Sequence, residues 1–90
     1  MLKSFVEAVC WLARHDDAVL VITAERARLV DRQSNHCEGL SLTAARALTN
    51  NRRRARWLTA EGASGRMRLN TEGEMYHREL VAKRLCSCRP

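Results

Sequence analysis

The feature that most restricts the fold of this chain is a run of aliphatic and β-branched residues, Ala18 to Thr23. Such a run predicts a β-strand, and residues 27–31 that follow alternate apolar and polar with period two. The two segments together predict a hairpin, connected through residues 24–26. The connection lacks the Asn-Gly or Asp-Gly typical of two-residue hairpin turns, so a helix over residues 24–32 is the alternative.

Helix signals lie on both sides of this hairpin. Ser4 and Glu7 fit the S-x-x-E capping box, and apolar residues behind them predict a helix from about residue 4 to residue 15, ended by Asp16-Asp17. A second capping box, Thr71 to Glu74, predicts a helix that continues to about Leu85. We therefore expect a single α+β domain over residues 1–85, followed by a short tail, residues 86–90.

The middle of the chain is less regular. Residues 33–39 are predicted as a polar loop and residues 40–42 as a short strand, after which Thr43 is a suitable N-cap for a helix over residues 44–58. The apolar face of that helix is interrupted at residues 51–52, so it is either one helix or two short helices that break near Asn50-Asn51. Residues 59–70 contain two glycines, and basic and apolar residues then alternate from Arg66 to Leu69. This pattern predicts a strand–turn–strand with one apolar and one basic face.

The positive charge is confined to one part of the chain. The net charge is +6, with 16 Lys and Arg against 10 Asp and Glu. Seven arginines and one acid, Glu61, lie between Arg46 and Arg68, whereas nine basic residues balance nine acids elsewhere. A cluster of this kind is typical of a polyanion-binding surface.

The cysteines are expected to be free thiols in the cytoplasm, since no secretory signal precedes them. Cys10 lies in an apolar helix and is predicted to be a core residue. His36-Cys37 and the Cys86-x-Cys88 pair could supply four zinc ligands, but their spacing differs from that of common zinc motifs. We therefore expect no metal and no cofactor. No apolar run approaches the ~20 residues of a membrane span, so no membrane partner is expected.

Catalytic motifs are also missing from the sequence. No histidine has a carboxylate or cysteine at a spacing that indicates a catalytic pair, apart from the adjacent His36-Cys37, and the glycines at 62 and 65 lack the lysine of a P-loop. Because the sequence contains no recognisable set of catalytic residues, it predicts a protein that is not an enzyme.

Residues 43–80 resemble the C-terminal part of winged helix-turn-helix proteins. The resemblance is carried by Trp57-Leu58 and by the segment Gly65-Arg66-Met67-Arg68-Leu69-Asn70-Thr71-Glu72-Gly73. It implies a helix–hairpin–basic helix–wing hairpin–helix order. The usual first helix of the helix-turn-helix pair is not visible between Leu29 and Thr43. Glu38-Gly39 and Arg54-Ala55-Arg56 also resemble a group of small bacterial winged-helix toxins from toxin–antitoxin pairs.

Resemblance and charge together predict a cytoplasmic transcriptional regulator of bacterial or phage type that binds duplex DNA, as a homodimer where binding is specific. The predicted DNA-binding residues are Arg46, Asn50, Asn51, Arg53, Arg54 and Arg56 on the helical segment, and Arg66 and Arg68 in the wing. Arg53 and Arg54 have no apolar neighbours in the sequence pattern, so their loss is expected to leave folding intact. Trp57 is predicted to be a core residue.

Two other partners remain open. A small protein–protein interaction module of antitoxin or phage-inhibitor type would use the same arginines around exposed apolar residues to bind an acidic protein. An exposed Trp11 or Tyr76 would favour that alternative. RNA is less favoured, because the four aromatic residues are too few to stack single-stranded bases.

Overall fold

The fold is α+β. The structure, a computed structural model, describes residues 1–86, which form four helices and one five-stranded antiparallel sheet. The elements in chain order are α1 (Phe5–Arg14), β1 (Ala18–Ile22), β2 (Ala27–Asp31), β3 (His36–Leu40), α2 (Leu42–Thr49), α3 (Arg52–Ala55), β4 (Leu58–Ala60), β5 (Arg66–Leu69) and α4 (Thr71–Ala82). The strand order is β3-β2-β1-β5-β4. Residues 87–90 of the predicted tail lie outside the described residues.

One face of the sheet forms the core with the helices. Helix α1 packs against β1, β2 and β5, and α2 and α4 pack against α1. Side chains alternate between the two faces of a strand, so Leu20 and Leu29 point to the helical side, where both are fully buried. Leu48 of α2 and Leu80 of α4 complete this core. No helix among residues 1–86 is long and apolar enough to cross a membrane.

The N-terminal predictions are confirmed. Ser4 caps α1, because its Oγ accepts a hydrogen bond from the Glu7 N–H at 3.1 Å. Strands β1 and β2 pair in register from Ala18 opposite Asp31 to Ile22 opposite Ala27, so the hairpin is right and the alternative helix over residues 24–32 is wrong. The Thr23 N–H closes the turn on the Arg26 carbonyl at 2.8 Å.

Two predictions on residues 33–42 are wrong. The polar loop contains strand β3, which pairs with β2 along its whole length, and Leu40 ends this strand rather than beginning a new one. Because β3 is at the edge of the sheet, most of its side chains are exposed and its sequence is polar. Leu42 already belongs to α2, which is capped by Ser41 and not by Thr43; the Ser41 Oγ accepts from the Ala44 N–H at 3.1 Å.

The central helical segment is broken where the sequence allowed it. Helix α2 ends at Thr49, and Asn51 caps the single-turn helix α3, so the two-helix alternative is confirmed and a single helix over 44–58 is wrong. The hairpin of β4 and β5 is also confirmed. Gly62 and Gly65 have φ values of 58° and 75° in its turn, where residues without a Cβ are favoured.

The C-terminal helix differs in its cap and its end. The Asn70 Oδ1 accepts from the Gly73 N–H at 3.0 Å, so Asn70 is the N-cap in place of the predicted capping box at Thr71. The helix ends at Ala82, earlier than the predicted Leu85.

Free thiols at every cysteine were also a wrong prediction. The structure joins Cys10 to Cys86 by a disulfide, with 6.0 Å between their Cα atoms. The pairing could not be expected from a separation of 76 residues, and it arises because α4 packs along α1. Cys10 and Cys86 are buried, as predicted for Cys10, and Cys37 is an exposed free thiol.

Candidate nucleic-acid interface

Arginines line the side of the sheet that faces away from the helices. On this open sheet face, defined by the outward residues of the five strands, Val21 of β1 pairs with Arg28 on one side and with Arg66 on the other. Neighbouring strands lie about 4.8 Å apart, so the backbones of the two arginines are about 10 Å apart across the sheet. Arg68 faces the same way, opposite Thr59 of β4. All three arginines are exposed.

Arg28 is not among the predicted DNA-binding residues. The residue lies outside the segment that carries the net charge, where acids balance it in number. The signal was nevertheless present, since the period-two alternation of residues 27–31 predicts that Arg28 points away from Ala27 and Leu29.

The second group of predicted residues lies on α2 and α3. Arg46, Asn50, Arg53 and Arg56 are exposed, as is their neighbour Arg52. Helix α3 has four residues and buries none of them. It therefore presents a short, basic turn of helix, as in the two-helix alternative of the sequence analysis, and no long recognition helix over residues 44–58.

Asn51 and Arg54 have structural contacts that occupy their side chains. The Asn51 Oδ1 accepts hydrogen bonds from the Arg53 and Arg54 N–H groups at 3.0 and 3.1 Å. The Arg54 Nε donates to the Ala47 carbonyl at 2.5 Å, and its guanidinium carbon lies 4.5 Å from the centre of the Phe5 ring. The expectation that Arg54 lacks packing partners is wrong, because it ties α3 to α2 and to α1.

The single acid of the arginine-rich segment is already paired. Arg32 donates from Nη1 to the Glu61 Oε1 at 2.7 Å and from Nη2 to Oε2 at 2.9 Å, and Nη2 also contacts the Asp17 Oδ1 at 2.7 Å. The hydrogen bonds from Arg32 hold the pKa of Glu61 below its ordinary value. The hydrogen bonds that Arg32 donates to Glu61, and then to Asp17, raise the pKa of Arg32, so the guanidinium stays charged.

The exposed arginines of the segment form no ion pair with an acid among the described residues. Within residues 1–86, ion pairs join Arg32 to Asp17 and Glu61, and the N-terminus to Glu38. None of the exposed arginines of the segment takes part in one; these are Arg46, Arg52, Arg53, Arg56, Arg66 and Arg68. Six cations that are both exposed and unpaired with acids in this part of the chain can bind an external anion.

The aromatic residues are used inside the protein. Trp57 is half-buried and stacks on Tyr76 with ring centres 3.7 Å apart, which fastens the start of β4 to α4. Trp11 is 4% exposed and stacks on His15 at 3.8 Å. Burial raises the pKa of the half-buried Tyr76. Because Trp11 is buried, it does not supply the exposed apolar surface that would favour a protein partner. Trp57, which was predicted to be a core residue, is partly buried and packs against the core.

No protein-family model, no curated protein and no solved structure matches this chain.

Proposed function

We propose that this protein binds duplex DNA through its exposed arginines and acts as a cytoplasmic transcriptional regulator of bacterial or phage type. The observation that supports this function is the set of six exposed arginines without an ion-pair partner among the described residues, in a segment whose one acid is bound by Arg32. Guanidinium groups bind phosphate oxygens and can also read guanine in the major groove.

The order of elements supports a winged-helix mode of binding. Helix α2, the turn at Asn50-Asn51, helix α3, the β4–β5 hairpin and helix α4 follow one another. The break near Asn50-Asn51 gives two consecutive helices, and in this proposal α2 and α3 are the two members of a helix-turn-helix pair. In this proposal α3 enters the groove and the β4–β5 hairpin is the wing.

The open sheet face extends the proposed interface beyond the wing. Arg66 and Arg68 belong to the wing strand β5, and Arg28 lies two strands away in the row through Val21. In this proposal Arg66 and Arg68 bind the DNA backbone and the residues on α3 approach the bases. One module of this size covers a short site, so sequence-specific binding would use two copies on two half-sites.

A salt titration of binding to duplex DNA tests the proposal. We expect measurable affinity at low salt and a linear decrease of log K with log salt concentration, because phosphate contacts release counterions. The R66A/R68A variant should lower the salt slope by about one unit per lost phosphate contact, equally for all sequences. The R53A/R56A variant should cost about 1–3 kcal/mol for each base contact that it removes.

The matched control is R14A/R78A, which removes the same charge from exposed positions of α1 and α4. This variant should bind DNA more weakly only through the loss of overall charge. If the wing and α3 variants stay folded and bind DNA as tightly as this control, the DNA proposal is wrong. The alternative, an interaction module that binds an acidic protein, would then replace the DNA proposal. Titrations with single-stranded DNA and RNA under the same conditions show whether the protein prefers either of them to duplex DNA.

A further inference from the structure

Three potential metal-ligand atoms lie close together beside the first helix. Cys10 lies in the middle of α1, His77 lies on α4, and Cys86 follows α4 by four residues. The two sulfur atoms and one ring nitrogen of His77 all lie within 4.8 Å of one another. A disulfide uses only the two sulfur atoms, whereas a metal site would use all three atoms.

We propose that the reduced protein binds Zn²⁺ at Cys10, His77 and Cys86. Two thiolates and an imidazole are ligands that zinc prefers, at about 2.3 Å for sulfur and about 2.0–2.1 Å for nitrogen. A tetrahedral ion with these bond lengths separates its two sulfurs by about 3.8 Å. The three ligand atoms lie within 4.8 Å of one another, so the changes that this arrangement requires are small.

The surroundings of the three residues suit a buried metal site. Cys10 and Cys86 are 6% and 7% exposed, and a half-buried His77 borders them. A cavity of about 110 Å³ beside the two cysteines gives an ion access from solvent; its other lining residues are Leu2, Glu7, Arg14 and Leu85. Two thiolates neutralise the charge of one zinc ion, so the site would add no net charge to a buried position.

The disulfide and the zinc site are two states of the same pair of cysteines. In the disulfide each sulfur is bonded to the other. A thiol reductant donates two electrons and two protons are taken up, which gives two thiols; Zn²⁺ then binds both sulfurs and releases those two protons. Each state links α1 to the end of α4, so the oxidised protein is held by a covalent bond and the reduced protein by the ion. The site differs from the pattern of His36-Cys37 with Cys86-x-Cys88 that the sequence suggested.

The experiment uses the full chain with Cys37→Ser and Cys88→Ser, so that Cys10 and Cys86 are the remaining thiols. The protein is reduced with a phosphine, freed of metal and titrated with Co²⁺ and then Zn²⁺ under inert gas. We expect one Co²⁺ per chain with sulfur-to-cobalt charge-transfer absorption, displacement by Zn²⁺, and a higher melting temperature with Zn²⁺ bound. The same protein oxidised to the disulfide should bind neither ion.

The His77→Ala variant tests the third ligand without opening the core. It should lower zinc affinity by more than about tenfold, since even residues that only support a ligand contribute about 10–100-fold. The matched control is His36→Ala, which removes a histidine that lies 5.9 Å from Trp11 and should leave zinc affinity unchanged. The proposal is overturned if the reduced protein binds no ion at one per chain, or if a folded His77→Ala variant binds zinc as tightly as its parent.

Discussion

At the scale of single residues, two adjacent arginines with the same sequence context have different roles. Arg54 donates to the Ala47 carbonyl and lies over the Phe5 ring, whereas the side chain of Arg53 is exposed. A hydrogen bond from a charged group contributes about 1.5–3 kcal/mol, and a cation–π contact about 0.5–2 kcal/mol. We therefore expect Arg54→Ala to reduce the free energy of unfolding by about 1–3 kcal/mol, measured by urea denaturation.

The control for this change is Arg53→Ala, which should alter stability by less than about 0.5 kcal/mol. Equal stability of the two variants would contradict the structural role of Arg54. For DNA binding we expect the opposite order. Arg53→Ala should weaken binding more than Arg54→Ala, because Arg53 belongs to the proposed interface and Arg54 is occupied within the fold.

The residue types of the interface could be predicted from sequence, but their accessibility could not. Charge clustering identified the arginine-rich segment. It could not separate Arg54 and Asn51 from the exposed residues, because their contacts with Ala47, Phe5 and the α3 backbone depend on how α3 folds back on α2. Arg28 was missed for the converse reason: its place beside the wing depends on β1 lying between β2 and β5.

At the scale of elements, the N-terminus of α4 depends on Asn70. Its Oδ1 caps the helix, and its Nδ2 donates to the Arg56 carbonyl at 2.7 Å and to the Thr59 Oγ1 at 3.1 Å. Loss of the cap costs about 1 kcal/mol and each hydrogen bond adds about 1 kcal/mol. Asn70→Ala should thus lower the free energy of unfolding by about 2–3 kcal/mol in thermal or urea denaturation.

Two further variants make this assignment specific. Asn70→Asp keeps the accepting oxygen and loses both donated hydrogen bonds, so its stability should lie between that of the parent and that of Asn70→Ala. Thr71→Ala should change stability by less than about 0.5 kcal/mol, since Thr71 is exposed and does not cap the helix. A larger effect at Thr71 than at Asn70 would restore the capping box that the sequence predicted.

Besides the pairing of β5 with β1, the contact of Arg32 with Glu61 links the wing to the end of β2. The pKa of the Glu61 carboxyl is lower in the folded state than in the unfolded state, where it is about 4.5. The ionised carboxylate therefore stabilises the fold above the unfolded pKa. This stabilisation is lost as the pH falls through the lower folded pKa. We expect Glu61→Gln to be less stable than the parent at neutral pH and equally stable in strong acid, as measured by melting at a series of pH values.

Glu25→Gln, at an exposed position in the β1–β2 turn, is the control for this pH series and should follow the parent throughout. A stability difference between Glu61→Gln and the parent that does not change with pH would show that the carboxylate charge is not what holds the wing.

Helices with strong local signals and strands with β-branched runs could be predicted, and elements that depend on tertiary neighbours could not. Helix α1 and the β1–β2 hairpin carry caps and periodicity in their own residues. Strand β3 has a polar sequence because it is an edge strand, so only its pairing with β2 reveals it. Ser41 was overlooked as a cap because Leu42, which the sequence placed in a strand, is the first residue of α2.

At the scale of the whole molecule, both ends of the domain are joined through Cys10 and Cys86. The disulfide spans 76 residues, so in the chain-entropy description it removes about 4.5 kcal/mol of loop entropy from the unfolded state. We expect the oxidised protein to exceed the reduced protein in unfolding free energy by about 2–4 kcal/mol, measured by urea denaturation with a chelator present.

The Cys10→Ser/Cys86→Ser variant should be insensitive to reductant, whereas Cys37→Ser should respond like the parent, since Cys37 lies on the exposed edge strand. Should reductant leave the stability of the parent unchanged, the two cysteines are not joined in solution. The arginines of the proposed interface belong to other elements than Cys10 and Cys86, so reduction should weaken DNA binding only to the extent that it unfolds the protein.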